Sequence, residues 1–268
     1  MKDKVTLDYQ NLRLNIPYCL RRGSEDSILF VHGLGGCMEC FRDVWDFPGY
    51  NKYSILTYDL PGFGDSNKPC EYSYSMEDQA NISQLLINEL NLDRVHIVGH
   101  SMGGAIGLLL AQKIKLIARS FICLEGNLVS EDCGGSRKAV DYSLDEFLKE
   151  GFEHLRLDIS QNDDSLENQQ SSLELFLACL SKCDPYAFYR SSESLVKWSD
   201  SGRLLRLFLG LDIPKYYVFG ERNENSPVTK LLTDVPKIKI ANAGHAMMTD
   251  DPSEFYQVLL TILQEWPV

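Results

Sequence analysis

The sequence contains no run of apolar residues that approaches the roughly 18 needed to cross a membrane. Its first ten residues, MKDKVTLDYQ, are charged and alternating, without the apolar stretch of a signal peptide. Positive charge is also scarce, because 26 Lys and Arg face 38 Asp and Glu, for a net charge of −12 at pH 7. Such a surface repels phosphate backbones and anionic lipid head groups. We therefore expect a cytoplasmic protein that neither spans a membrane nor binds nucleic acid.

A complete set of metal ligands is missing as well. Cys37 and Cys40 have the spacing of half a zinc site, but Cys179 and Cys183 stand four apart and no His lies close to them in sequence. The chain has eight Cys in 268 residues. We expect reduced thiols packed in or near helices, and no bound metal.

What the sequence does contain is an alternation of short apolar runs and longer segments of helical periodicity. Most of the runs are nearly continuous in apolar character, as in a parallel sheet covered on both faces. The first residues, VTLDYQ and LRLNIPYCL, are typical of antiparallel strands at one edge of the sheet. This alternation predicts the α/β class with a mostly parallel sheet. The expected strands are 27–33, 53–59, 94–100, 120–126, 216–221 and 237–243, and the expected core helices are 76–90, 102–114 and 255–266.

One region interrupts the alternation. From about 128 to 212 no segment reads as a strand, and helical patterns follow one another instead. The first of these, 143–159, begins with a capping box formed by Ser143 and Glu146 and continues as an apolar stripe. A polar linker at 161–172 separates it from the next helix. We predict a helical lid inserted between two strands.

This lid also carries most of the negative charge. Residues 130–200 contain 15 Asp and Glu against 7 Lys and Arg, a net charge of −8. We divide the chain into a core, 1–127 and 213–268, and an inserted lid, 128–212. Several aromatic residues of the lid could line an apolar pocket or simply pack the lid on the core: Phe147, Phe152, Phe176, Tyr186, Phe188, Tyr189 and Trp198.

The strongest chemical signal is the run Gly99-His100-Ser101-Met102-Gly103, which lies between a predicted strand and a helix of small residues. A serine at the apex of so sharp a turn is held in a strained conformation with its hydroxyl clear of the sheet. Bulk at the flanking positions would collide with the neighbouring strand and helix, so glycine is used there. The helix N-terminus favours developing negative charge. We predict that Ser101 is a nucleophile rather than a simple helix cap.

A serine hydroxyl needs a base, normally histidine. His245 stands in ANAGHAMMTDDP, just after the last predicted strand, where Gly244 gives the loop freedom to aim the imidazole. The other four histidines lie inside a strand, at the variable position of the turn, in an earlier loop and in the lid helix: His96, His100, His32 and His154. We predict that His245 is the base.

A glycine-rich loop, His-Gly-Leu-Gly-Gly at 32–36, leaves an earlier strand. Such a loop lets backbone N–H groups approach an oxygen closely, and the intermediate of acyl transfer needs two such donors. We predict that the backbone amides of Leu34 and Met102 form an oxyanion hole.

Together these motifs resemble the α/β-hydrolase superfamily, in its lid-bearing, serine esterase-like branch. The resemblance covers nearly the whole chain and rests on HGLGG at 32–36, DLPGFGDS at 59–66, GHSMGG at 99–104 and AGHAMMTDDP at 243–252, in the order of the family. It implies an eight-stranded sheet and a helical cap after the sixth strand. It also implies a triad in which the acid lies in sequence between the serine and the histidine.

The acid is where the sequence departs from this family. The usual carboxylate follows the seventh strand, but the corresponding stretch, VFGERNEN, places Asn223 at the expected position. Asn carries no charge to stabilise an imidazolium. Some relatives carry the acid after the sixth strand, where Glu125 stands here in FICLEGN, and a charge buried there would be costly unless paired. We predict Glu125 as the acid, with Glu224, Glu221 and Asn223 as alternatives.

The resemblance implies a serine hydrolase that cleaves a carboxylic ester, thioester or amide through an acyl-enzyme, without a cofactor. The substrate is expected to be a small to medium molecule, preferably apolar. Two alternatives stay open. Some lid-bearing relatives hydrolyse carbon–carbon bonds of diketone-like acids, although an acidic lid suits anionic substrates poorly. The same fold can also serve as a non-catalytic ligand-binding protein.

Overall fold

The computed structural model describes residues 2–162 and 170–265, and these form an eight-stranded sheet with helices around it. The order across the sheet is β1-β2-β4-β3-β5-β6-β7-β8. Strands β3 to β8 are mutually parallel, whereas β2 runs antiparallel to both β1 and β4. The predicted α/β fold, including its antiparallel edge, is confirmed. The strands are β1 Lys2–Tyr9, β2 Leu12–Arg21, β3 Ser27–Val31, β4 Ser54–Tyr58, β5 Val95–His100, β6 Ala118–Leu124, β7 Lys215–Gly220 and β8 Lys237–Ile240.

Helices cover both faces of the sheet because successive side chains of each strand point to opposite sides. In β4, for example, Leu56 belongs to the apolar cluster under the helices at 76–89 and 102–113, and its neighbour Ile55 belongs to the cluster under the helix at 252–264. Both residues are fully buried. The core helices are α1 Met76–Glu89, α2 Met102–Lys113, α9 Pro227–Leu231, α10 Met247–Asp250 and α11 Pro252–Gln264.

Between β6 and β7 the described residues form helices and no strand. The capping box at the start of this segment is present: the Ser143 hydroxyl accepts from the amide of Glu146, and the Glu146 carboxylate accepts from the amide of Ser143. The polar linker expected at 161–172 lies largely outside the described residues. The helices are α3 Gly134–Val140, α4 Leu144–Glu146, a π-helical turn Phe147–Gly151, α5 Phe152–Asn162, α6 Gln170–Leu180, α7 Pro185–Asp200 and α8 Arg203–Leu209.

One finding contradicts the expectation of fully reduced thiols. Cys37, directly after the glycine-rich loop, is bonded to Cys179 of α6 with an S–S distance of 2.08 Å, so the expectation is wrong for this pair. Spacing in sequence could not show it, because the two residues are 142 positions apart. The other six cysteines are free thiols. None of the helices in residues 2–162 and 170–265 combines the length and the apolar character of a membrane span. The cytoplasmic location stays a prediction.

The amino ends of the central strands carry a buried carboxylate with two partly exposed arginine partners. Asp26, just before β3, has a side chain only 4% exposed and pairs with Arg94 and with Arg119, whose Nε lies 3.2 Å from its Oδ2. His96 Nε2 lies 3.4 Å from the same oxygen, and His96 Nδ1 lies 2.7 Å from the Ser120 hydroxyl. Burial lowers the pKa of His96 to about 4, in spite of the nearby carboxylate. This histidine is therefore a neutral part of the packing at neutral pH.

Candidate active site

The sharp turn between β5 and α2 places Ser101 at its apex. Its φ of 53° and ψ of −121° lie in a region that non-glycine residues rarely adopt, at a cost of roughly 1–3 kcal/mol. The flanking glycines allow the close approach that this turn needs. A Cβ on Gly99 would lie 2.3 Å from the carbonyl oxygen of Gly103, and a Cβ on Gly103 would lie 2.2 Å from that of Val31. The serine therefore stands where β5 ends, at the carboxyl edge of the sheet.

The loop between β8 and α10 brings an imidazole to the same edge. His245 Nδ1 lies 2.7 Å from Glu125 Oε2, although the two residues are 120 positions apart. Glu125 follows β6 directly with a φ of 40°, and its side chain is 8% exposed, against 53% for the imidazole. A carboxylate accepts the hydrogen bond, so Nδ1 carries the proton and Nε2 of the neutral ring is left as an acceptor.

The structure explains why an asparagine stands where the family usually has its acid. Asn223 Nδ2 lies 3.0 Å from Glu125 Oε1 and 2.8 Å from Oε2, so the amide donates to the carboxylate. The backbone amide of Gly220 donates to Oε1 at 2.8 Å. A carboxylate at position 223 would instead repel Glu125. The two positions are thus complementary, with the acid after β6 and its donor after β7.

The two other candidate acids face the surface. Glu221 and Glu224 each lie 3.4 Å from the ammonium of Lys239, and Glu221 also accepts from the amide of Asn242 at 3.0 Å. Their side chains are 45% and 54% exposed. Of the four candidates, the structure brings Glu125 to His245.

Glu125 and His245 shift the pKa of each other. Burial alone would raise the pKa of Glu125, but hydrogen bonds from His245, Asn223 and the Gly220 amide outweigh it and hold that pKa below its usual value. The surrounding protein atoms disfavour a charged imidazole and so lower the pKa of His245. The hydrogen bond and charge of Glu125 outweigh this effect and raise that pKa above its usual value. The pair is therefore an ionised carboxylate beside an imidazole that accepts a proton readily.

Asn127, which no sequence motif singles out, is the hydrogen-bond partner of the Ser101 hydroxyl. Its Oδ1 accepts from the Ser101 hydroxyl at 3.4 Å, and its Nδ2 donates to the carbonyl oxygen of Asp132 at 2.5 Å. A carbonyl only accepts, which fixes the amide with its oxygen toward the serine. Among the described residues Ser101 makes no hydrogen bond to His245. The signal that could have found Asn127 is its place just beyond the carboxyl end of β6.

The glycine-rich loop passes directly against the turn. A Cβ on Gly33 would lie 3.1 Å from the Cβ of Ser101, and Leu34 lines the same cavity as the serine. Met102 is the first residue of α2, so its amide has no acceptor within the helix. The two backbone segments predicted for the oxyanion hole therefore flank Ser101.

His32 holds this loop in place, and both of its ring nitrogens already have hydrogen-bond partners. It is fully buried, its Nδ1 donates to the carbonyl oxygen of Gly33 at 2.8 Å, and its Nε2 accepts from the amide of Leu60 at 3.1 Å. Burial lowers its pKa. Both nitrogens are thus occupied by a neutral ring that joins the loop after β3 to the loop after β4.

Ser101 and His245 both line a cavity of about 330 Å³ between the carboxyl edge of the sheet and the helices that lie between β6 and β7. This volume is at the small end of the range for ligand sites, roughly 300–1,000 Å³. Its apolar wall comes from the loops at the carboxyl edge of the sheet, from α10 and from α5, α6 and α7: Leu34, Leu155, Ile159, Leu175, Phe176, Phe188, Leu195 and Met248.

Charged groups at the cavity are mostly acidic. Among the described residues that line it, Asp132 and Asp250 are accompanied by one ammonium group, that of Lys138. Lys138 lies 3.6 Å from Asp158, so its charge already has a partner. Burial raises the pKa of Asp132 to about 6, which still leaves it largely ionised at neutral pH. The cavity therefore favours uncharged ligands over anionic ones.

The fold and the serine turn together define an α/β hydrolase, and comparison with known proteins agrees. Residues 28–258 match the alpha/beta hydrolase family, and the chain belongs to that family.

Two relatives are similar over most of the chain. The putative carbamate hydrolase RutD of Pantoea ananatis is 25% identical over 273 residues, which cover 91% of this chain and 90% of the relative. The 2-succinyl-6-hydroxy-2,4-cyclohexadiene-1-carboxylate synthase of Klebsiella pneumoniae is 26% identical over 245 residues, covering 88% and 93%. A solved esterase from Thermogutta terrifontis superposes with a TM-score of 0.80 at 18% identity, over 99% of this chain and 98% of that chain. At that identity the likeness shows the fold alone.

Some relatives are much longer proteins. The probable lysophospholipase BODYGUARD 4 of Arabidopsis thaliana is 35% identical over 105 residues, which make up 38% of this chain and 25% of that protein. The chain thus matches about a quarter of the length of the first curated relatives.

Proposed function

We propose that the chain is a serine hydrolase that cleaves small, uncharged carboxylic esters through an acyl-enzyme on Ser101. The observation that carries the proposal is the 2.7 Å hydrogen bond between Glu125 and His245, at the cavity that His245 and Ser101 share. A buried carboxylate, an imidazole and a serine on a strained turn are the groups that acyl transfer by serine requires.

In the first half-reaction the Ser101 oxygen attacks the carbonyl carbon of the ester while His245 Nε2 takes the hydroxyl proton. The hydroxyl donates to Asn127 in the resting protein, so it rotates about the Cα–Cβ bond toward the imidazole when substrate is bound. Glu125 holds the Nδ1–H and stabilises the imidazolium that forms. The amides of Leu34 and Met102 donate to the oxyanion of the tetrahedral intermediate.

The intermediate then collapses and the bond to the leaving alcohol breaks. The alcohol oxygen receives the proton that His245 carries. In the second half-reaction water attacks the acyl carbon with His245 again as base, and the carboxylic acid leaves with the serine hydroxyl restored. Water alone is consumed, so this scheme calls for no cofactor.

The cavity supports a short, apolar acyl group. Its volume of about 330 Å³ is at the small end of the range for ligand sites, roughly 300–1,000 Å³. The apolar wall favours an alkyl or aryl chain, and the carboxylates of Asp132 and Asp250 disfavour an acid on the substrate. A coenzyme A thioester, which is large and carries several phosphates, fits this cavity poorly.

A panel of p-nitrophenyl esters from acetate to dodecanoate, beside an acyl-coenzyme A and an aryl amide, tests the proposal. We expect kcat/KM to be highest for the short esters and to fall for long chains. Ser101→Ala should reduce hydrolysis by about 10⁴-fold or more, as expected for loss of a serine nucleophile. A wild-type protein that turns over none of these substrates, or a Ser101→Ala variant that stays active, would contradict the proposal.

A charge-matched pair of substrates sharpens the test. The p-nitrophenyl monoester of glutaric acid ends in a carboxylate, whereas p-nitrophenyl pentanoate has a methyl group there. We expect the neutral ester to have a kcat/KM at least about tenfold higher, because about 1.4 kcal/mol of repulsion gives that factor. Equal rates would show that the acidic groups of the cavity do not select the substrate.

A further inference from the structure

One ring at the site takes no part in the steps above. His100, the residue before the nucleophile, lines the cavity, and its Nε2 lies 2.8 Å from the backbone carbonyl oxygen of His245. The two imidazole rings are in contact, with centroids 4.7 Å apart and planes at 46°. We propose that His100 is a positioning residue that ties the loop carrying His245 to the turn carrying Ser101. This inference rests on the proposed function, in which those two residues must meet.

The hydrogen bond defines which nitrogen of His100 carries the proton. A backbone carbonyl oxygen only accepts, so Nε2 donates and the neutral ring is the Nε2–H tautomer. Burial and the neighbouring His245 lower the pKa of His100 to about 3. At neutral pH the ring is thus a fixed hydrogen-bond donor, and it does not exchange protons with the base.

The loop that carries His245 needs such a tie because it lies outside regular structure. β8 ends at Ile240 and α10 begins at Met247. The amide of Gly244 donates to Asp250 at 2.8 Å, which links the loop to α10, and the His245 ring is linked to the end of β6 through Glu125. The His100 hydrogen bond adds a direct link to the turn, since His100 and Ser101 are adjacent in the chain.

The glycine-rich loop leaves the space that this ring occupies. A Cβ on Gly33 would lie 3.1 Å from His100 Nδ1, closer than most real Cβ contacts. A larger residue at position 33 would therefore push against the ring. The loop of the predicted oxyanion hole, the serine turn and the His245 loop thus meet at one side chain.

Three substitutions at position 100 distinguish the effect of the hydrogen-bond donor from the effect of the side-chain volume. In His100→Gln the amide nitrogen extends about as far from the backbone as Nε2 of histidine, so it still reaches the His245 carbonyl. In His100→Asn the amide extends only about as far as Nδ1 and falls short. In His100→Leu a side chain of similar volume has no donor. The readouts are kcat and KM for p-nitrophenyl acetate, the rate of labelling by a fluorophosphonate, and the thermal unfolding midpoint.

We expect His100→Leu and His100→Asn to lower kcat and the labelling rate by about 3- to 10-fold with KM nearly unchanged, as for the loss of one neutral hydrogen bond. His100→Gln should recover most of the loss, and the three unfolding midpoints should agree closely. A kcat of His100→Leu equal to that of the wild type, or a His100→Gln variant as slow as His100→Leu, would overturn the proposal.

A second measurement does not depend on activity. Nitrogen–proton correlation spectra of the imidazole side chains in the Ser101→Ala protein report the tautomer of each histidine. We expect His100 as the Nε2–H tautomer, and a ring protonated on Nδ1 would overturn the proposal. If the wild-type protein is not labelled by the fluorophosphonate, the proposed function fails, and the tautomer still decides on the His100 contact by itself.

Discussion

At the amino ends of the strands His96 lies 3.4 Å from Asp26, and at the carboxyl ends His245 lies 2.7 Å from Glu125. Each pair consists of a histidine and a carboxylate, but the pKa values of the two histidines shift in opposite directions. The pKa of His96 is lowered to about 4 by burial, whereas the hydrogen bond and charge of Glu125 outweigh the effect of the surroundings and raise the pKa of His245. The difference lies in what else surrounds each carboxylate and in how far the ring reaches solvent.

At the amino end the carboxylate is shared. Arg94 and Arg119 both pair with Asp26, and their positive charges also disfavour a proton on His96, whose side chain is 2% exposed. At the carboxyl end the further partners of the carboxylate are the neutral amides of Asn223 and Gly220, so its charge acts mainly on one histidine. That side chain is 53% exposed, so its imidazole is accessible from the cavity. The same pair thus stabilises the fold at one end and is available for proton transfer at the other.

Removing the charge of Glu125 should have the largest effect on activity. Glu125→Gln keeps the size of the side chain but leaves the imidazolium without a counter-charge, so we expect kcat to fall by about 10³- to 10⁴-fold. The measurement is kcat for a short p-nitrophenyl ester, with urea unfolding as the check on folding.

Asn223→Ala is the matched control for that variant. It removes a donor to the carboxylate but keeps the carboxylate itself, so we expect a loss of about tenfold, from a hydrogen bond to a charged group worth roughly 1.5 kcal/mol. If kcat fell more in Asn223→Ala than in Glu125→Gln, Glu125 would not be the acid that acts on His245.

The corresponding change at the other end should act on stability instead. Asp26→Asn leaves two partly exposed guanidinium groups and a buried histidine without their carboxylate, so we expect the free energy of unfolding to fall by about 1–2 kcal/mol. The kcat of the folded protein should stay within about twofold of the wild type. Urea unfolding and ester hydrolysis on the same sample measure both. Asp8→Asn, which alters a surface pair with Arg13, should change neither, and a loss of kcat in Asp26→Asn would break the contrast between the two ends.

The pH dependence of stability should carry the signature of His96. Its pKa is about 4 in the folded protein against an ordinary value of 6.5, so the unfolded chain binds a proton first as the pH falls. The contribution of neutral His96 to the free energy of unfolding is fully present above pH 6.5 and is lost as the pH falls from that value to about 4. By pH 5 the loss amounts to about 2 kcal/mol. Urea unfolding at pH 8 and pH 5 should show this difference reduced in His96→Asn and kept in the control His154→Asn, which changes an exposed histidine. If the free energy of unfolding changed equally with pH in the wild type and in His96→Asn, His96 would not be the source of the pH dependence.

The smallest expected effect is a shift in the acid limb of kcat/KM. His245 must be neutral to accept the serine proton, and Glu125 raises its pKa, so activity should begin to fall at a pH above the ordinary 6.5 of histidine. In Glu125→Gln the residual activity should keep its acid limb but at lower pH, because the charge that favours the imidazolium is gone. A pH profile of the two proteins measures this, and a limb at the same pH in both would show that Glu125 does not act on the base.

Much of the fold could be predicted because its signals are local. A continuous apolar run such as 27–33 has few alternatives to a buried strand, and the Gly-x-Ser-x-Gly run fixes a turn through the space its glycines leave. The same local logic gave the antiparallel edge and the helical segment between β6 and β7.

The rest depends on pairs of residues that are distant in sequence. No periodicity shows that Cys37 meets Cys179, or that Asn223 donates to a carboxylate 98 positions earlier. Asn127 was missed because an asparagine after a strand is common in loops, and its contact with Ser101 arises from how β5 and β6 lie side by side. The position of Glu125 could be predicted because a charge at the end of a buried strand needs a partner.

Mass-spectrometric mapping of a fluorophosphonate adduct tests the central claim most directly. We expect a single adduct on Ser101, formed much more slowly in Glu125→Gln and absent in Ser101→Ala. An adduct on a different residue, or a wild-type protein that stays unlabelled under conditions in which it is folded, would contradict it.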